Sequence, residues 1–127
     1  MNEARLKRIV DAWIIAQGAE ESSVIFNENR WAIDLVCRWS IRSKPNRLWC
    51  FIQAACNREL TEEIRSILSA GPLENLLSEW GASYISEVEN LAARDKRFRS
   101  LLCGVWRNSM STEVWERVRA AATDSKI

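Results

Sequence analysis

The side chains that most often carry out catalysis are absent from this sequence or lack a suitable spacing. Histidine does not occur, so a Ser-His-Asp triad, a Cys-His pair and a His-dependent zinc site are all excluded. The four glycines are isolated from one another, which excludes a glycine-rich phosphate-binding loop. Adjacent carboxylates at positions 20–21 and 62–63 are explained by loops and helix starts. We therefore expect a protein that is not an enzyme and that needs no cofactor.

The cysteines have a spacing that suits neither a metal site nor a redox motif. Intervals of 13, 6 and 47 residues separate Cys37, Cys50, Cys56 and Cys103, and none of them forms a Cys-x-x-Cys pair. Each lies in an apolar helical context. We therefore predict small, buried hydrophobic side chains with reduced thiols, and no metal site.

Tryptophan and arginine are the residue types whose numbers indicate a binding surface. The chain has 7 tryptophans, and 14 of its 18 basic residues are arginine. Indole rings at a surface are frequent anchors of protein interfaces, and guanidinium groups favour ion pairs and interfaces. We predict that these residues contact a partner: Glu74, Glu79, Trp80, Arg97, Arg99, Trp106 and Arg107. The simpler alternatives are tryptophans that close the ends of the core and a solvated basic face neutralised by nearby carboxylates.

Length and composition are those of one globular domain. The chain has 127 residues, of which 47% are hydrophobic and 28% charged, so a core can form without disulfides or metals. The net charge of +1 argues against a dedicated nucleic-acid binder, which would carry a basic stripe. The apolar run at residues 12–16 is too short for a signal peptide, and no stretch is long enough to span a membrane. We expect a cytoplasmic protein without membrane contact.

Helical periodicity runs through nearly the whole chain, and no window shows sustained β-type alternation. The first helix is predicted to end at Gly18, and Asp95 is predicted to cap a later one. Gly71-Pro72 predicts a helix end followed by a new start, and Gly81 predicts another stop. We predict an all-α fold, a compact bundle of about seven to eight short helices in one domain over residues 1–127. Stacked helical hairpins are the alternative arrangement.

Two further expectations concern the N-terminal half. Residues 20–29 are predicted to form a polar loop whose apolar residues 24–26 enter the core. The following helix, over about residues 28–42, is apolar around much of its circumference and is therefore predicted to be central. If it is central, Trp39→Ala should lower the free energy of unfolding by about 3–5 kcal/mol.

The C-terminal half carries a series of motifs. They are AGPLENLL at residues 70–77, RDxxFRxLLxGVW at residues 94–106 and VWxRV at residues 114–118. On these motifs, the chain from about residue 60 to residue 120 resembles a family of small bacterial proteins grouped under a domain of unknown function. A proline often follows the position of Asp95 in that family, whereas Lys96 stands here. The resemblance implies a small helical bacterial protein, and it assigns no active site to the chain.

These features favour a non-enzymatic protein-binding module. The specific hypothesis is an immunity protein, similar to an antitoxin, that binds and neutralises a bacterial toxin or effector domain. The alternative is a small helical enzyme or ligand-binding regulator that uses carboxylates and arginines in a pocket between helices. A deep polar cavity that holds a carboxylate with a perturbed pKa would favour this alternative, and shallow clefts would favour the binding module.

Overall fold

The computed structural model describes residues 1–123, and every regular element in that part of the chain is a helix. The elements are α1 (Glu3–Gly18), α2 (Val24–Ile41), α3 (Pro45–Cys56), α4 (Glu62–Leu68), a π-helical turn (Ser69–Leu73), α5 (Glu74–Arg94), α6 (Lys96–Leu102) and α7 (Thr112–Ala122). Because α4, the π turn and α5 are continuous, these eight pieces make six joined helices. The prediction of an all-α fold is confirmed, and the helix count is close to the expected one.

The chain divides into two compact units, residues 1–64 and residues 65–127. The prediction of a single domain over residues 1–127 stays a prediction. In the first unit, α1, α2 and α3 pack against one another. Trp13 and Phe51 meet edge to face at its centre, with ring centroids 5.2 Å apart, an arrangement that aromatic pairs favour. Helix α1 ends at Gly18, as predicted.

Helix α2 differs from both expectations for the N-terminal half. The hydroxyl of Ser23 accepts a hydrogen bond from the Phe26 N–H, so the helix begins at Val24 and replaces most of the predicted loop. Val24 and Ile25 are 71% and 56% exposed and do not enter the core. The buried residues of α2 occupy one face only: Ala32, Val36 and Trp39. The prediction of a central helix is therefore wrong, although Trp39 itself is deeply buried.

In the second unit, α5 packs against the π turn, α6 and α7. The predicted helix end at Gly71 is wrong, because the wider π turn accommodates Pro72, which is buried inside the helix. Ser69 is also buried in this turn, and its hydroxyl donates a 2.7 Å hydrogen bond to the Leu101 carbonyl oxygen. The turn is thereby tied to α6.

The predicted stop at Gly81 is a kink and not a helix end. Trp80 has non-helical dihedral angles (φ −130°, ψ 28°), and α5 continues beyond it to Arg94. At Gly81, an added Cβ atom would lie 2.8 Å from Cγ1 of Val114, so α7 approaches α5 more closely than a side chain would allow. The next helix, α6, begins at Asp95 as its N-cap, as predicted, and the Asp95 side chain accepts hydrogen bonds from two backbone N–H groups.

All four cysteines are free thiols, but the prediction that they are buried is correct for Cys56 and wrong for the other three. Cys56 is buried, whereas Cys37, Cys50 and Cys103 are exposed. Cys37 lies on the outer side of α2, away from the face that contacts the core, which explains its exposure. No disulfide joins these four residues.

Candidate functional site

The segment between α6 and α7, residues 103–111, is named the Trp106 loop. Two of its side chains are buried, Val105 at 6% and Met110 at 4% exposure, and they fix the two ends of the loop in the core. Between them Trp106 is 75% exposed, more than any other of the seven tryptophans. The loop therefore presents a large indole ring to solvent from a backbone anchored on both sides.

Glu74, in the first turn of α5, holds this backbone in place. Its Oε1 accepts a hydrogen bond from the Trp106 N–H at 3.1 Å, and its Oε2 accepts one from the Asn108 side-chain amide at 3.2 Å. Asn108 has a φ of 49°, a left-handed conformation that asparagine tolerates better than most residues. Both carboxylate oxygens thus bind the loop, and the bonds to an ionised group are stronger than neutral ones.

Arg107 stabilises the second half of the loop. Its Nε donates a hydrogen bond to the Met110 carbonyl oxygen at 3.2 Å, and its Nη2 donates one to Oγ1 of Thr112 at 2.9 Å. The Ser111 hydroxyl then caps α7. Two of the guanidinium N–H groups are used inside the protein, so Arg107 mainly positions the loop that carries Trp106.

The other predicted contact residues lie on α5 and α6. Trp80 is half-buried at the kink, and Glu79 beside it is exposed. On α6, Arg97 is exposed, while Arg99 is half-buried and its Nη1 donates a 2.6 Å hydrogen bond to the Ala92 carbonyl oxygen. Arg99 therefore satisfies a carbonyl in the last turn of α5, as a basic residue commonly does at a helix C-terminus. Among the predicted residues, the structure brings Glu74, Trp106 and Arg107 together.

Asn108 and Thr112 belong to this site and were not predicted. An Asn-Ser pair at residues 108–109 is a turn signal, so the sequence could have located the bend. It could not have shown that Asn108 bonds to Glu74, which is 34 residues away in the chain.

The carboxylates with shifted pKa values belong to ion pairs. Hydrogen bonding from Arg117, 2.6 Å away, lowers the pKa of Glu89, and the same contact raises the pKa of Arg117. A hydrogen bond from Arg58 lowers the pKa of Asp11 in the first unit. A carboxyl group that acts as a general acid near neutral pH needs a raised pKa. These shifts have the opposite direction and are those of structural ion pairs.

Two clefts have volumes in the range of small-molecule sites. One has a volume of about 310 Å³ between α6 and α7, with a mainly apolar lining. Among its described lining residues, Arg119 is charged, and the guanidinium carbon of Arg119 lies 5.9 Å from the Trp115 ring centroid. The other, about 340 Å³, lies at the start of α2 and includes the Arg30–Asp34 ion pair. Neither cleft is lined by Asp11 or Glu89, the two carboxylates with lowered pKa values.

Over residues 1–123, no cluster of three or more potential ligand residues could hold a metal ion. Within the same described range, none of the helices combines the length and the apolar composition needed to cross a membrane.

Comparison with known proteins identifies the family of the chain but not its activity. A model described as a family of unknown function (DUF6869) matches residues 19–126. No curated protein and no solved structure matches the chain. The match includes α2 and α3, and so extends beyond residues 60–120, on which the resemblance stated above rests. The chain belongs to the DUF6869 family of unknown function.

Proposed function

We propose that this chain is a non-enzymatic protein-binding module, and specifically an immunity protein that binds and neutralises a bacterial toxin. The observation that carries the proposal is Trp106, which is 75% exposed on a loop held by Glu74. An exposed indole of this size leaves much apolar surface in water, and a partner that covers it gains hydrophobic and packing energy. Tryptophan is also among the residues enriched at the energetic centres of interfaces.

The fixed backbone of the Trp106 loop supports the same proposal. Binding is weakened when a loop must first be ordered, because the lost conformational entropy opposes association. Side-chain hydrogen bonds already hold the loop: Glu74 binds its middle, and Arg107 binds its second half and the start of α7. A partner therefore meets a preformed surface, which suits a protein whose task is to block another protein's cleft.

The predicted contact residues include polar side chains that suit the rim of an interface. Arg107 keeps an exposed side chain next to Trp106, and Glu79 and Arg97 are exposed on α5 and α6. A central aromatic anchor with a polar rim is the usual anatomy of a protein interface. We assign Trp106 as the anchor and Glu74 and Arg107 as positioning residues, and we keep Glu79, Trp80, Arg97 and Arg99 as proposed contact residues on α5 and α6.

The alternative of an enzyme or ligand-binding regulator receives less support. It requires carboxylates and arginines in one pocket between helices, whereas the described lining of the cleft between α6 and α7 includes Arg119 but no carboxylate. The cleft at the start of α2 has Glu21, Arg30 and Asp34 in its lining, but Arg30 and Asp34 already pair with each other, and the described lining residues all come from residues 21–34. The pKa values of Asp11 and Glu89 are lowered, which does not suit proton donation near neutral pH.

The proposal includes a bacterial source and a cytoplasmic location. The C-terminal motifs at residues 70–77, 94–106 and 114–118 support the first, through the resemblance stated above. The second belongs to the proposed role and rests on that role alone. We also propose that the partner is a protein and neither a nucleic acid nor a membrane, in keeping with the net charge of +1.

Affinity purification with two matched variants tests the proposal. The tagged full-length chain is expressed in its host of origin as wild type, as W106A and as W31A, the last being a control at another exposed tryptophan. We expect one protein to be retained by wild type and W31A, and W106A to weaken its binding by about 30-fold or more. The wild-type chain should also restore growth to cells that produce this protein.

Two results would contradict the proposal. The first is a partner that W106A binds as tightly as wild type does. The second is a deletion strain that is no more sensitive to neighbouring strains than its parent. Circular dichroism of each variant establishes that a loss of binding is not a loss of the fold.

A further inference from the structure

Helix α2 has a partly exposed stripe beside its buried face. Five residues of the helix and Arg42, which directly follows it, form this stripe at intervals of four and three, and we name it the α2 stripe: Val24, Glu28, Trp31, Leu35, Arg38 and Arg42. At about 100° per residue, they lie within an arc of roughly 80° beside the buried face. Val24 and Trp31 are 71% and 41% exposed, Leu35 is half-buried, and the three charged residues are exposed. The alternating intervals are those of a helix that pairs with another helix.

The α2 stripe is complementary to itself in one orientation. Suppose that two copies of α2 cross antiparallel, with a two-fold axis at the level of Ile33. Each residue then faces the residue of the second copy that lies equally far from position 33 on the other side, so that the two residue numbers add up to 66. Trp31 then faces Leu35 of the second copy, and Glu28 faces Arg38 of the second copy. Because the axis is two-fold, each of these contacts occurs twice. The centre of this contact is apolar, and an ion pair between Glu28 of one copy and Arg38 of the other lies on each side of it.

A parallel arrangement of the same two helices is disfavoured. It would place Glu28 beside its own equivalent and Arg38 beside its own equivalent, so that like charges meet at both positions. Charges that flank an apolar seam commonly select orientation and partner in this way. The charges of the α2 stripe therefore favour the antiparallel over the parallel direction.

We infer that a second copy of this chain docks on the α2 stripe, antiparallel and about a two-fold axis. The helix has 18 residues, which corresponds to a contact about 27 Å long. One helix face per copy is a small interface, so we expect a weak dimer with a Kd on the order of 10 µM. The interface lies in the first unit, whereas the Trp106 loop lies in the second.

Charge reversal at the two paired positions tests this arrangement. Sedimentation equilibrium of the full-length chain over a wide concentration range gives the dimer Kd for wild type, E28R and R38E. Each single variant turns both ion pairs into like-charge contacts, and we expect the dimer to weaken by about tenfold or more. The double variant E28R/R38E exchanges the charges and should restore the wild-type Kd to within about threefold.

A mixture of the two single variants is the sharpest measurement. E28R has arginine at positions 28 and 38, and R38E has glutamate at both of these positions, so neither variant pairs well with itself. A dimer of one E28R chain with one R38E chain has two attractive ion pairs and should form. R8E, which makes the same charge change as R38E at an exposed position of α1, should leave the wild-type Kd unchanged. W31A should weaken the dimer by at least about tenfold, because it removes both central contacts.

Several outcomes would overturn the inference. A wild-type chain that is monomeric at every concentration excludes the dimer. A wild-type dimer that E28R and R38E do not weaken is formed through another surface. If the chain is monomeric and W31A instead loses a captured protein, the α2 stripe binds a different partner. These results are separate from the effect of W106A on toxin binding.

Discussion

Replacement of Gly81 by alanine is expected to destabilise the protein, although glycine is normally unfavourable within a helix. At an ordinary helical position this substitution stabilises by about 0.5–1 kcal/mol, because alanine restricts the unfolded chain. At Gly81, however, the new Cβ atom would lie 2.8 Å from Cγ1 and 3.3 Å from Cγ2 of Val114. Val114 is 7% exposed and β-branched, so its side chain has no easy alternative rotamer.

The magnitude follows from these two opposing effects. Overpacking of a core usually costs about 1–3 kcal/mol, which exceeds the gain in helix propensity. We expect G81A to lower the free energy of unfolding by roughly 1–2 kcal/mol. In a V114A background the obstructing methyl groups are gone, and G81A should instead stabilise by about 0.5 kcal/mol. The coupling between the two substitutions should therefore be about 1–3 kcal/mol.

Urea denaturation followed by tryptophan fluorescence measures these free energies for wild type, the two single variants and the double variant. G71A is the matched control, since a Cβ atom at Gly71 would meet nothing within 4 Å. It should be neutral or stabilise by up to about 1 kcal/mol. If G81A destabilises the V114A protein as much as the wild type, the close approach of α7 to α5 at this glycine is not the cause.

Three further predictions concern the core, the Trp106 loop and pH. Trp39→Ala should lower the free energy of unfolding by about 3–5 kcal/mol, since the side chain is 3% exposed; an unchanged melting temperature would refute its place in the core. Glu74→Gln should lower the free energy of unfolding by about 1 kcal/mol and broaden the Trp106 side-chain signals in NMR spectra, because it weakens the hydrogen bonds that hold the Trp106 loop. Glu79→Gln, at an exposed position, should change neither the stability nor these signals. The ion pair with Arg117 lowers the pKa of Glu89 from its usual value of 4.5. The pair therefore stabilises the fold fully above about pH 4.5, and this stabilisation is lost as the pH falls through the lower pKa of the folded state. Since both side chains are about one-third exposed, this contribution is only about 0.2–1 kcal/mol, and Arg117→Met should remove it from the acid part of a pH–stability curve.

The sequence predicted those helix limits that depend on local side-chain chemistry. Gly18 ends α1, and Asp95 caps α6, because each acts on backbone groups within a few residues. Gly71-Pro72 and Gly81 are equally strong local signals, yet the helix continues through both positions. There, contacts with α6 and α7 outweigh the local preference, and such contacts are set by the fold.

Prediction of the candidate site was limited in the same way. Trp106 was identified because it lies beside Arg107, outside an apolar stripe, and it is indeed exposed. The pairing of Glu74 with the loop joins residues 32 positions apart, which no local pattern reveals. Trp31 is one of the apolar residues on which the prediction of a central α2 rests, and its 41% exposure shows that apolar character alone does not define the buried face.

The π turn at Ser69–Leu73 holds about one residue more than an ordinary turn of the helices on either side of it. Its five residues therefore take up nearly the same rotation as four residues of an α-helix. Removal of one residue from this turn would leave α5 nearly in phase with α4, whereas removal of one residue within α5 would rotate every later position by about 100°. Natural variants of this chain should therefore lose a residue in the π turn more readily than in the rest of the joined helix.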